Sequence, residues 1–222
     1  MDPTIETPRL RLIRLQDTST GSQHLDWFHE LWTDDACTAE SLHGKCHTYE
    51  ESQQWMKDHE EKFHSLTYAI LEKVDGEGTE HEEPGKLVGN IGLRAQNSGP
   101  TLPPFPPPPS SSSSSSLPEV GDIPLNLRSL GYAFFRSAWG KGYATEAGKA
   151  LLEAYSASVK EKKEEGKELF YVEGCWGKHN PASRNVLTKL GFKEVGWKEE
   201  KEKVFIGGEW RDPGYWIWGM YV

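Results

Sequence analysis

From Arg9 the chain alternates charged and apolar side chains, Arg9-Leu10-Arg11-Leu12-Ile13-Arg14-Leu15, the period of two that marks a half-buried strand. The period then changes. Leu25, Phe28, Leu31 and Trp32 share one helical face between Gly21 and Asp35. Thr48-Tyr49-Glu50-Glu51 has the form of a capping box and predicts a second helix to about His64, burying Trp55 and Phe63. Thr67–Glu72 and Lys86–Leu93 read as strands, with the acidic stretch Asp75–Gly85 as the hairpin loop between them. Leu130–Phe135 is a further strand, followed by a helix with Ala147, Leu151, Tyr155 and Val159 on one side and the charge run Lys160–Lys167 at its end. Leu169–Trp176 is a nearly continuous apolar run, as expected of a strand covered on both faces. After it, Asn180 can cap a helix, Pro181 fits its first position and Gly191 stops it. Two closing strands are expected, Phe192–Phe205 and Gly214–Val222, joined near Gly207-Gly208. Strand, two helices, three strands, helix, strand, helix, two strands describes a mixed α/β layer.

Residues 98–119 differ in kind. Prolines cluster from Pro103 to Pro109 and seven serines follow, Ser110 to Ser116. Such a segment buries too little apolar surface to offset its ordering entropy, so a disordered, passive insertion between two strands is expected. The 222 residues otherwise suit one domain, with 36% hydrophobic residues and nine Trp for its core. A net charge of −9 argues against a general nucleic-acid binder, which needs clustered Lys and Arg. No apolar run approaches the roughly 20 residues that span a bilayer, and the first residues resemble neither a secretory nor a transit signal. Three cysteines, Cys37, Cys46 and Cys175, make no disulfide framework. A cytoplasmic protein that engages neither membrane nor nucleic acid is the expectation.

The candidate chemistry starts at Ala138-Trp139-Gly140-Lys141-Gly142-Tyr143-Ala144-Thr145-Glu146-Ala147. Two glycines open onto a helix, and no Ser, Thr, Asp or Asn stands at the turn to cap its first amides. Those amides and the helix dipole suit an anion such as phosphate, with Lys141 adding charge. A P-loop would need Gly-Lys-Ser/Thr, which is absent. A Rossmann fingerprint would need a further small residue after Gly142 and an acid closing the next strand about 20 residues on. Glu164 and Glu165, at that distance, lie in the charge run instead. A strand-to-helix turn with small residues at Gly140, Gly142 and Ala144 fits, as does a plain tight connection.

In combination the motifs resemble the GNAT acetyltransferase superfamily, and within it the RimJ/RimL-like branch of ribosomal-protein N-terminal acetyltransferases. Thr7-Pro8-Arg9-Leu10-Arg11-Leu12 is similar to the opening strand of that branch. Leu130-Gly131-Tyr132 with Trp139–Ala147 is similar to its acetyl-CoA signature, and Asn180-x-x-Ser183-x-x-Val186-Leu187-x-Lys189-Leu190-Gly191-Phe192 to its second motif. The resemblance implies one α/β domain with a mixed, mostly antiparallel seven-stranded sheet flanked by helices and splayed between its fourth and fifth strands. It implies transfer of an acetyl group from acetyl-CoA to a primary amine, on a protein N-terminus or a small molecule, by direct attack in a ternary complex of a monomer or homodimer without metal. Amides of Lys141, Gly142, Tyr143 and Ala144 would hold the pyrophosphate, and main chain around Phe134, Phe135 and Arg136 would pair with pantetheine. Asn180, Ser183 and Asn185 would contact the cofactor, although Asn180 equally suits a helix cap and Asn185 a solvent-facing position.

Many members of the superfamily place a tyrosine four residues before the Gly of Leu-Gly-Phe as general acid; here that residue is Leu187. Ser183 is the nearest other hydroxyl, and a thiol pKa of about 8.5 also permits departure as thiolate. An amine with a pKa near 10 must shed a proton before it attacks a thioester, which a carboxylate can accept through water. Glu173 is the first candidate and Glu40 the second, while a backbone N–H near Phe134 or Phe135 would steady the oxyanion. The cluster Cys37, His43, Cys46 and His47 lacks the spacing of a tetrahedral metal site and reads as a His-rich loop near the acceptor. A non-catalytic CoA-binding or protein-interaction module is the alternative.

Overall fold

The computed structural model describes residues 1–73, 85–107, 124–206, 209–211 and 213–222. The alternating stretch forms β2 (Leu10–Arg14), preceded by a short β1 (Thr4–Glu6) that pairs with it antiparallel. Ser22 caps α1 (Gln23–Thr33), Asp34 caps the single turn α2 (Asp35–Thr38), and Thr48 caps α3 (Tyr49–Glu61). β3 (Leu66–Glu72) and β4 (Lys86–Ala95) follow, then β5 (Leu125–Phe134), a 3-10 turn at Arg136–Ala138 and α4 (Tyr143–Ser158). The charge run forms α5 (Lys160–Glu164), followed by β6 (Leu169–Trp176) and α6 (Pro181–Leu190), the latter stopped by Gly191 at φ 88°. The chain then forms β7 (Lys193–Lys198), the hairpin β8 (Val204–Ile206) and β9 (Glu209–Arg211), and β10 (Tyr215–Tyr221).

The main sheet has eight strands in the order β1-β2-β3-β4-β5-β6-β10-β7, all neighbours antiparallel except β5–β6. One more strand is present than the seven expected, because Thr4–Glu6 is too short and too exposed to show a period. The expected strand Phe192–Phe205 is also divided. Five consecutive charged residues, Glu199 to Lys203, interrupt it, since neither face of a sheet can bury such a run. The loops expected at Asp75–Gly85 (apart from Gly85) and at Gly207-Gly208 lie outside the described residues.

Each face of the sheet has its own core. Leu10, Leu12, Tyr68 and Ile70 meet α4 and α6 residues such as Leu151 and Leu187, while Ala69 and Leu71 meet Leu25, Phe28 and Met56 from α1 and α3. Trp55 and Phe63, expected to be buried, are half-buried; α3 turns Ser52 and Met56 inward instead. The insertion expected over residues 98–119 begins as folded chain: Thr101, Leu102 and Phe105 are partly buried, and residues 108–119 lie outside the described part.

Gly219 of β10 lies beside Glu173 of β6, and a Cβ there would overlap the hydroxyl of fully buried Tyr171. That ring is boxed between Phe105 and Tyr221 and has little room to retreat. Gly219→Ala should therefore destabilise the fold by about 2 kcal/mol, the scale of core overpacking, read as a lower denaturation midpoint at unchanged m-value.

Candidate active site

The parallel pairing of β5 with β6 runs from Leu125↔Leu169 to Ser129↔Glu173 and stops, although both strands continue. Beyond Ser129 the strands diverge. The N–H of Phe135 donates to the Val88 carbonyl at 3.1 Å, so odd-numbered residues here face β4. By alternation, the main-chain groups of Leu130, Tyr132 and Phe134 point into the gap. The Phe134 carbonyl is already taken by the Trp139 indole N–H at 2.8 Å, which leaves the Phe134 N–H and the Tyr132 groups toward the gap. Phe135, expected to pair with a ligand, is thus committed to β4. Arg136 is exposed, with its guanidinium over the Trp139 ring.

The glycine loop closes the wide end of this gap. Gly142 is the N-cap of α4 at φ 83°, in the left-handed region that favours glycine, and no side chain caps the helix. The first-turn amides after it, including those of Tyr143 and Ala144, have no intrahelical partner. The loop is held from beneath by residues that sequence reasoning did not assign to the site. Arg9 donates through Nη1 to the Lys141 carbonyl at 3.0 Å and through Nε to Glu146 Oε2 at 2.7 Å. Glu146 Oε1 also accepts from the Thr7 hydroxyl at 2.7 Å and from the Arg9 N–H at 3.0 Å. Burial alone would raise the Glu146 carboxyl, but these bonds hold it below its ordinary value. Tyr143, beneath the Arg9 guanidinium, donates to Glu72, and Lys141 lies 3.8 Å from the same carboxylate. The signal was present in the motifs, since Thr7, Arg9 and Glu146 all stand in them.

Across the gap, Asn180 acts as a cap: its side-chain oxygen accepts from the Ser183 N–H at 3.2 Å. The Ser183 carbonyl accepts from the Tyr132 hydroxyl at 3.5 Å, so a tyrosine of β5 spans the divergence to the first turn of α6. Burial raises the Tyr132 phenol above its usual value, and it stays protonated at neutral pH. Leu187 is buried in the core under Gly174, and Asn185 is exposed on the outer side of α6.

The opposite face of β4 and β5 floors a cavity of about 260 Å³ with Asn90, Gly131 and Ala133, walled by Trp32 and His59, with Glu40 also lining it. Burial, aided by the nearby Arg94 and His43 charges, lowers the His59 pKa to about 4, so this imidazole is neutral near pH 7. Glu40 forms an ion pair with Arg211 of β9 at 3.2 Å. Ser129 lines the cavity, and its partner Glu173 stands at the apex of the divergence, 3% exposed. In the Cys/His loop, His43 stacks on Trp55 at 3.8 Å and Cys46 is buried. Burial and the neighbouring Asp34 raise the Cys37 thiol. Among the described residues no group of His, Cys, Asp or Glu is placed to hold a metal, and no helix is long and apolar enough to cross a membrane.

The arrangement is a gap with an anion cradle at one end and a separate cavity behind it. Among solved structures, the acetyltransferase (GNAT family) from Bacillus anthracis is similar over 98% of both chains, at 17% identity and a TM-score of 0.57. RimL, the ribosomal L7/L12 α-N-protein acetyltransferase solved with coenzyme A, is similar over 99% of this chain and 98% of its own, at 14% identity and a TM-score of 0.60. The Salmonella typhimurium acetyltransferase that modifies the N-terminal serine of the same ribosomal protein is similar over 99% of both chains, at 15% identity and a TM-score of 0.60. At such identities the likeness shows the fold. A search of curated proteins finds no match. The family model of the acetyltransferase (GNAT) domain matches residues 9–193, from the buttressing Arg9 to the start of β7, and the chain belongs to that family.

Proposed function

We propose that the protein is an N-acetyltransferase that moves an acetyl group from acetyl-CoA to a primary amine. One observation carries this reading. The strand β5 separates an uncapped, glycine-built helix start on one side from a cavity on the other, and beyond Ser129 its edge toward β6 is unpaired. A cofactor and an acceptor can then reach the same few residues from opposite faces.

The residues present fit acetyl-CoA. The amides of Lys141, Gly142, Tyr143 and Ala144 would hold the pyrophosphate at the uncapped start of α4, supported by the helix dipole and by Lys141. The Tyr132 main-chain groups would take the pantetheine arm as an added strand. Asn180 holds the α6 end in place, with Ser183 behind it, while Asn185 and Arg136 are left to the outer rim. The bound cofactor supplies an acetyl thioester, an acylating group that needs no metal. The Phe134 N–H faces the gap, where it can donate to the carbonyl oxygen as charge develops there. Glu173 is the buried carboxylate at the apex and accepts the amine's proton through water. Ser183 and Tyr132 offer hydroxyls where the thiolate departs. The net charge of −9 favours a cationic amine at long range, while Glu40 is tied to Arg211.

Acetyl-CoA should raise the melting temperature by several degrees, the linkage expected of a ligand well above its Kd. Gly142→Val should abolish that shift, because its φ of 83° strains any β-branched residue and the side chain crowds the cradle. No shift in the unaltered protein, together with no thiol release across amines and peptides, would sink the reading.

A second measurement probes the buttress. The Glu146 carboxylate is stabilised in the folded state, so its contribution is complete above the ordinary carboxyl range and fades as acid protonates it below that range. Glu146→Gln should cost about 1 kcal/mol at neutral pH, discounted for the half-exposed Arg9, and the gap to the unaltered protein should close in acid. Urea midpoints at both pH values check this.

A further inference from the structure

The proline-rich run leaves β4 as a strap laid over the face of β6 and β10. Phe105 is its anchor: the ring meets Tyr171 at 5.9 Å and Tyr221 at 5.7 Å, its carbonyl accepts from the Tyr221 hydroxyl at 3.0 Å, and Lys193 Nζ lies over it at 5.4 Å. Leu102 lies over Gly196 of β7. Ahead of these points, over Gln96–Thr101, the strap meets the Glu173 side chain at the apex of the divergence. Glu173 Oε1 accepts from the Thr101 N–H at 3.0 Å, and Oε2 accepts from the Thr101 hydroxyl at 2.9 Å and from Gln96 Nε2 at 3.3 Å. Gln96 is itself fixed by the Gly99 carbonyl at 3.1 Å and the Thr101 oxygen at 3.2 Å.

A carboxylate has about four lone-pair sites, of which Thr101 takes two and Gln96 shares a third, its two N–H hydrogens being divided among Gly99, Thr101 and Glu173, and all these donors are neutral groups of the strap. One site on Oε1 remains. Thr101 and Gln96 are the hydrogen-bond partners of Glu173 among the described residues, and the ionisable groups around it, Tyr171 and Cys175 on β6 and Tyr215 on β10, are all neutral near pH 7. Burial raises the Glu173 carboxyl, and the Thr101 and Gln96 bonds oppose that rise. Without the strap the carboxylate would either face water or take up a proton.

We propose that Thr101 and Gln96 are positioning residues for acetyl transfer: the strap Gln96–Phe105 holds the Glu173 carboxylate charged and fixed at the apex, with one lone-pair site on Oε1 left free. The inference rests on the acetyltransferase reading above. In the step it serves, one proton of the ammonium passes through water to the free site on Glu173, the amine nitrogen bonds to the thioester carbon and gives up a second proton to solvent, and the carbon–sulfur bond breaks to release thiolate, which takes a proton from solvent; Glu173 then returns its own proton to solvent. The strap's part is to keep the acceptor of that first proton unprotonated and aimed.

Thr101→Val keeps the N–H and the side-chain shape but removes the hydroxyl. Losing a bond to the charged form should move the acidic limb of kcat/KM upward by roughly half to one pH unit, with the alkaline plateau nearly unchanged and Thr101→Ser restoring the profile. The carboxyl resonance of Glu173, assigned by its loss in Glu173→Gln, should titrate upward in parallel in the protein without acetyl-CoA. A carboxyl that does not move in Thr101→Val overturns the proposal. So does one that moves while the rate profile stays put, or activity that falls equally at every pH. A protein that transfers acetyl to no amine removes the acetyltransferase reading and this inference together, whereas the other failures leave that reading standing.

Discussion

Every buried main-chain N–H and C=O must find a partner, and the divergence of β5 from β6 is where this chain leaves that requirement open. A sheet that stayed paired to the ends of both strands would satisfy itself and offer a ligand nothing. Here pairing ends at Ser129↔Glu173, so the last turns of two central strands keep directional hydrogen-bonding groups in a protected slot. The surrounding structure keeps that slot from collapsing. Tyr132 props it by reaching Ser183, Trp139 occupies one carbonyl at its mouth, and Leu187 fills the core beneath Gly174 so that α6 cannot slide in.

The cradle shows a related compromise. An acidic protein has to present one locally cationic spot, and it does so with main-chain dipoles rather than with a basic patch. The side chains near it serve chiefly as braces: Arg9 is spent on Glu146 and the Lys141 carbonyl, and the neutral Tyr143 on Glu72. Such a site repels anions little at long range, because Arg9 offsets Glu146 and Lys141 stands beside Glu72, yet its helix start remains uncapped.

Much of the architecture could be read from periodicity because the relevant strands are buried on one or both faces. β3 and β6 appear as continuous apolar runs, and α4 and α6 announce themselves through caps and spaced aliphatics. The glycine loop and the Asn180 cap were legible for the same reason: αL turns and caps have few alternative residues. What escaped was set by tertiary partners. β1 is three residues long and exists because β2 offers it an edge. The β8–β9 hairpin, with Phe205 and Trp210 exposed, has no burial pattern to betray it. Residues 98–107 read as disordered from proline content, because composition cannot show that Tyr171 and Tyr221 wait to receive Phe105. Phe135 was assigned to the ligand, though its N–H belongs to Val88; strand parity decided that, and parity depends on a pairing the sequence does not display.

The sheet order β6-β10-β7 carries a consequence in time. β10 lies between two strands made before it, so as the chain emerges from a ribosome β6 and β7 have no common neighbour until residues 215–221 have been synthesised. Until then β6 has one unpaired edge, and Tyr221, which holds Phe105 beside Tyr171, is missing. The apex at Glu173 is therefore among the last regions of the domain able to mature, and the nascent chain is most exposed to mispairing in the interval just before β10 arrives.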